Sequence, residues 1–204
     1  MTMRRIETIL ATCSLALMTL VGGAGCRSFD LEPPAGFAEV NAGKYGARMK
    51  AGDDVGLNLA VFDNVDGGTL QFWSVDLVKK LARRGYTLEG QQPARSKNGV
   101  MGTRFDFSYQ PPGTEAHKFY SVVLFVSDAN VVALQLAGEA ALRSTYMSKV
   151  DGIASDTVVR GCRSWTRVCD GPQPDKLTAP ASAPAAAAGD TTELASDDKP
   201  AAGS

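Results

Sequence analysis

The side chains best able to do chemistry here are four cysteines and a single histidine in 204 residues. Cys13 lies inside an apolar N-terminal run and Cys26 directly behind it, while Cys162 and Cys169, with six residues between them, stand near the end of the patterned region. A thiolate is a nucleophile and a soft metal ligand, and two nearby thiols can oxidise to a disulfide. The Cys162–Cys169 spacing suits a disulfide, which would contribute roughly 2–3 kcal/mol by closing a short loop. Two free thiols are the plainer alternative. A zinc site would need two further ligands that the neighbourhood does not offer. His117 sits beside the Pro111-Pro112-Gly113 turn, where a surface role is expected, and with one histidine no His-based metal triad can form. No Gly-x-Ser-x-Gly elbow occurs. Asp63-Asn64-Val65-Asp66-Gly67-Gly68 faintly resembles a calcium loop, but the twelfth position is Ser74 where such loops carry glutamate. A turn explains the same residues. We therefore assign no catalytic residue, no metal and no cofactor, and expect a non-enzyme.

The surroundings of Cys26 give it a specific reading. Arg4 and Arg5 precede Ile6–Val21, a mostly apolar stretch broken by Glu7, and Gly22-Gly23-Ala24-Gly25 leads to the cysteine. A basic start, an apolar centre and small residues at the end form a secretory signal peptide over residues 1–25. The apolar run is short for a bilayer span, which needs about 20 residues. Gly23-Ala24-Gly25-Cys26 resembles the lipobox of bacterial lipoproteins. That resemblance implies a diacylglyceryl group on the Cys26 thiol, removal of residues 1–25, and fatty acylation (palmitate or similar) of the new N-terminal amine. Ala24 and Gly25 fit the pattern, and Gly23 departs from the usual aliphatic residue. Two or three acyl chains anchor stably, where a single chain is marginal. Arg27, in place of aspartate, is similar to the outer-membrane sorting signal of enteric lipoproteins. The expected location is the bacterial cell envelope, more in keeping with the outer than the inner membrane.

Cleavage would remove Arg4, Arg5 and Glu7 and leave a mature net charge of −2. Basic and acidic residues are interspersed, so no stripe for nucleic acid is expected. Residues 26–35, with Pro33-Pro34, read as a lipidated tether. Residues 171–204, rich in Ala, Pro, Asp, Ser and Thr and free of aromatics, read as a disordered tail. That leaves a folded domain over residues 36–170, large enough to build a core unaided.

Within it the hydrophobic period switches. Val55, Leu57, Leu59 and Val61 alternate as in a half-buried strand, with residues 44–50 as a hairpin partner across Gly52-Asp53-Asp54. Leu70, Trp73, Leu77 and Leu81 then recur at helical spacing, between Thr69 as N-cap and Gly85 as stop. Lys79, Lys80, Arg83 and Arg84 fall in the last turns, where cations suit the helix dipole. Residues 86–96 and 100–109 form a hairpin about Asn98-Gly99. Residues 118–126 (KFYSVVLFV) read as a central strand and 131–137 as its partner. A second helix over 139–154 presents Leu142, Tyr146, Val150 and Ile153. The predicted fold class is α+β: a mostly antiparallel six- or seven-stranded sheet covered by two main helices.

This order resembles the PsbP-like α/β sandwich family, which includes bacterial lipoproteins of the DcrB type. The stretches that carry the resemblance are Gly36-Phe37, the Val55–Phe62 strand, the Phe72-Trp73 helix, the 119–126/131–137 hairpin and Val150–Ser155. The resemblance implies a non-enzymatic binding or assembly module. Its partners would be the membrane, through the lipid on Cys26, and an envelope protein. A periplasmic carrier of a small molecule or lipid, or a weak hydrolase on the same scaffold, is the alternative; it requires a deep apolar pocket between sheet and helix.

Overall fold

The computed structural model describes residues 27–43 and 46–178. Residues 1–25, where a signal peptide is expected, together with Cys26, residues 44–45 and the chain beyond 178, lie outside the described residues. The strands are β1 (Phe29–Asp30), β2 (Phe37–Gly43), β3 (Gly46–Ala51), β4 (Gly56–Asp63), β5 (Tyr86–Arg95), β6 (Met101–Tyr109), β7 (Lys118–Val126), β8 (Asn130–Glu139) and β9 (Val158–Val159). The helices are α1 (Leu70–Ala82) and α2 (Arg143–Asp156), the latter entered through a short 3-10 turn at Ala140–Leu142. Seven strands form one antiparallel sheet in the order β2-β3-β4-β8-β7-β6-β5, and β1 pairs with β9 separately. The fold is therefore α+β, as its patterning implied. The middle place in the sheet belongs to β8, with β7 its neighbour.

Strand alternation decides how the layers form. On β7, Val122, Leu124 and Val126 join Leu70, Val78 and Leu81 of α1 in one apolar cluster. Phe119, Val123 and Phe125, on the other side of the same strand, join Tyr146, Val150 and Ile153 of α2 in a second. The helices thus cover opposite faces, and β7 and β8 are apolar nearly throughout because both of their faces are buried. Each fully buried Phe or Leu contributes roughly 1.5–3 kcal/mol of burial free energy.

Local signals account for the boundaries. The Thr69 hydroxyl accepts from the Phe72 N–H at 3.2 Å, satisfying one of the free donors at the start of α1. Gly85, at φ +84°, ends the helix in a conformation that side chains disfavour. Gly99 turns the β5–β6 hairpin at φ +90°, with Ser96 and Val100 closing it.

Two segments read from sequence as loose are part of the fold. The intended tether is docked: Phe29 is buried in the α2-side core, the Ser28 carbonyl accepts from Arg160 N–H at 2.9 Å, and the Pro34 carbonyl accepts from Phe37 N–H at 2.9 Å. The tail does not begin at Gly171 either. Gln173 Nε2 donates to the Gly102 carbonyl at 3.0 Å, Leu177 N–H donates to Gln91 Oε1 at 2.9 Å, and Leu177 packs on the α1-side cluster. The physical reason is the same in both cases: one or two apolar side chains join a core cluster, Phe29 and Leu31 on the α2 side and Leu177 on the α1 side, which composition cannot reveal.

Candidate functional site

Antiparallel reversal brings several turns to one end of the sheet. These are the β4–α1 loop, the β5–β6 hairpin, the β7–β8 turn and the segment after β9. They are knitted by backbone bonds: Asn64 N–H to the Ala129 carbonyl at 2.9 Å, Ala129 N–H to Gly161 at 3.2 Å, and Lys97 N–H to Thr157 at 2.8 Å. Asn98 clasps β9 with both ends of its amide, donating to the Val159 carbonyl at 2.7 Å and accepting from Val159 N–H at 3.0 Å. Gly161, at φ +95°, has no space for a side chain: a Cβ would meet Asn130 Nδ2 at 2.8 Å and Ala129 Cβ at 2.9 Å.

Asn64 organises the loop that faintly resembled a calcium site. Its side-chain oxygen accepts from Gly68 N–H at 2.8 Å and from Trp73 Nε1 at 3.0 Å. Its amide nitrogen donates to the Gly68 and Ser127 carbonyls at 3.0 and 2.9 Å. With every polar atom of Asn64 turned inward, the stretch is a side-chain-stapled turn into α1. Among the described residues, no group of three or more His, Cys, Asp or Glu converges as metal ligands would.

Cys162 and Cys169 are joined by a disulfide with a Cα–Cα distance of 6.1 Å. Cys169 is buried, and its carbonyl accepts from Met101 N–H at 2.8 Å, so the loop is held at its far foot by β6. At its near foot Arg163 N–H donates to the Asp128 carboxylate at 2.7 Å. Desolvation pushes Asp128 up, but hydrogen bonds from Thr166 and Arg163 together with the Arg163 charge outweigh it and hold the carboxyl below its ordinary value. Trp165, between the two feet, is 79% exposed. A cleft of about 420 Å³ opens here, lined by Asp63, Asn64, Val65, Asp128, Ala129 and Arg163 among others.

A second cleft, also about 420 Å³, lies where Asp30–Ala35 meets Lys97, Asp156 and Val158. Neither cleft lies between the sheet and a helix, where the carrier alternative requires one. Phe105, Phe107, Phe119 and Phe125 fill that interior.

His117 is exposed, and only its backbone carbonyl is engaged, by Ala140 N–H at 2.9 Å. One charged cluster escaped the sequence reading. Beneath α2, Arg104 Nε and Nη2 both lie 3.2 Å from Asp106 Oδ2, and Ser121 Oγ donates to Asp106 Oδ1 at 2.7 Å. Arg104 Nη1 reaches Asp151 Oδ1 of α2 at 2.7 Å. The signal was present in Arg104-Phe105-Asp106-Phe107, whose alternation must put two charges opposite the two phenylalanines. Arg104 spends its donors on these carboxylates and neither cleft reaches it, so the cluster ties α2 to β6.

No family model matches the chain, and no curated protein matches it. Solved structures do. The solution structure of cyanobacterial PsbP (CyanoP) from Synechocystis sp. PCC 6803 is similar at 16% identity, with a TM-score of 0.45, over 71% of this chain and 100% of that one. LpqN, involved in cell envelope biogenesis of Mycobacterium tuberculosis, is similar at 16% identity and a TM-score of 0.47, over 68% of this chain and 87% of that one. PA94 of Pseudomonas aeruginosa, a protein of unknown function, is similar at 11% identity and a TM-score of 0.42, over 68% of this chain and 88% of that one.

Proposed function

We propose that this chain is a lipid-anchored protein of the bacterial envelope, acylated on Cys26 after loss of residues 1–25, and that it acts as a non-enzymatic binding or assembly module. The observation that carries the proposal is the sequence Gly23-Ala24-Gly25-Cys26 at the end of a basic-then-apolar leader. The bonded Cys162–Cys169 pair supports export, because disulfides persist in oxidising compartments. Arg27 favours the outer membrane.

Intact-mass measurement of the wild type and Cys26→Ala, both taken from native membranes, tests the anchor. The wild type should begin at residue 26 and carry two or three acyl chains, and the variant should carry none. A wild-type chain that retains residues 1–25 or lacks fatty acid refutes it. The binding role is tested by cross-linking the lipidated protein in intact cells: a recurrent protein adduct supports it, and none under exhaustive labelling counts against it.

A further inference from the structure

We infer that in the anchored protein the turn-bearing end of the domain lies against the bilayer, with Trp165 and Val65 entering the interface between headgroups and acyl chains. The inference rests on acylation of Cys26 and adds to it an orientation.

The argument starts from reach. Phe29 pairs with Val159 and Asp30 with Val158, and Ser28 is bonded to Arg160. Ser28 thus sits beside Arg160, two residues before the disulfide loop opens at Cys162. Two residues span at most about 7 Å, so acyl chains carried two residues before Ser28 would leave the molecule near this end of the domain. The docked N-terminal segment provides no slack that would let the domain swing free.

The surface at that place fits a bilayer. Among the described residues five large apolar side chains are well exposed, and four of them belong to this end. Val65 is 83% exposed in the β4–α1 loop, Trp165 79% in the disulfide loop, Phe72 58% in the first turn of α1, and Phe62 56% near the end of β4. Only Val40, on β2, lies elsewhere. Tryptophan favours the membrane interface, where its ring is apolar and its N–H stays wet. Arg27, Lys97, Arg160 and Arg163 lie at this end together with Asp30, Asp63, Asp128 and Asp156. The charges balance, so apolar contact and not net charge is what holds this end down. The basic cluster Lys79, Lys80, Arg83 and Arg84 closes α1 about 20 Å away along the helix axis and points to the other end.

The test uses the mature acylated protein, reconstituted in phosphatidylcholine–phosphatidylglycerol vesicles with and without brominated acyl chains. The chain has two tryptophans, and Trp73 is anchored on Asn64, so Trp165→Phe isolates the exposed one. Expected for the wild type are a blue shift on reconstitution and quenching by bromolipid, unchanged from low to high salt. The quenching should vanish in Trp165→Phe, with circular dichroism unaltered. Intact mass on the same preparation reads the anchor independently. Acylated protein whose Trp165 is unquenched by bromolipid and open to aqueous acrylamide overturns the orientation alone. Trp165 shielded from acrylamide without bromolipid quenching means a protein covers this end, and also overturns it. A chain lacking acyl groups overturns the anchor, and the orientation with it.

Discussion

Removing Arg104 should cost the fold more than removing any one of its neighbours, because the guanidinium is what makes a buried carboxylate tolerable. Arg104 and Asp106 are each only 6% exposed, and Asp106 has the guanidinium on one oxygen and the Ser121 hydroxyl on the other. Truncation in Arg104→Ala leaves that carboxylate buried with a single neutral donor. Breaking a buried pair from one side typically costs about 3–5 kcal/mol, a large share of the roughly 5–15 kcal/mol available to a domain. Asp151 is different: its side chain is 60% exposed, so Asp151→Asn removes a well-screened charge and should cost no more than about 1 kcal/mol. Replacing both members in Arg104→Met/Asp106→Leu removes the stranded charge altogether and should return most of the loss. Urea denaturation of the four proteins, compared by midpoint at constant slope, gives the numbers. The reasoning fails if Arg104→Ala lies within about 1 kcal/mol of wild type, or if the double variant is as unstable as the single one.

Three smaller predictions follow from the same geometry. Cys162→Ser/Cys169→Ser should lose about 2–3 kcal/mol, the value for so short a loop, and the Trp165 fluorescence anisotropy should fall as the loop loosens. Thr69→Ala should cost about 1 kcal/mol in urea midpoints by uncapping α1, while Thr69→Ser should be nearly neutral. At alkaline pH, burial pushes the Tyr120 phenol up to about 12, with Tyr86 beside it adding to the effect and Arg84 opposing it. A folded-state value above the unfolded one means the stabilisation is complete below pH 10 and is lost as pH rises toward 12. The loss amounts to about 3 kcal/mol, and Tyr120→Phe should flatten this part of the stability–pH curve measured by urea midpoints.

What could be read from the sequence was whatever carried a period or a punctuation mark. The α1 stripe between Thr69 and Gly85, the Asn98-Gly99 hairpin and the apolar runs of β7 and β8 each repeat a signal over many residues, and the structure forms all of them. β2 was missed because a bulge between Glu39 and Asn41 breaks its alternation. β1 and β9 have two residues each and no period at all. Pro33-Pro34 marks irregular backbone, and irregular backbone is not the same as detached backbone. Irregular segments dock when a side chain such as Phe29 or Leu177 joins a core cluster whose other members lie far off in sequence.

The candidate site was less legible still, and the reason lies in strand parity. Val65, Phe72 and Trp165 look like unrelated surface residues along the chain. They come to one end because Asp63 pairs with Asn130 across β4 and β8, and because the β7–β8 turn then receives Gly161 and Arg163. In an antiparallel sheet alternate turns share an end, so the turns split into two sets. One set surrounds the N-terminal strand β1, and the other, at Gly52–Val55 and Gln110–His117, faces away from it. Substitutions of exposed residues in the second set should leave an anchor-proximal surface untouched, even where they lie closer in sequence to Cys26 than Trp165 does.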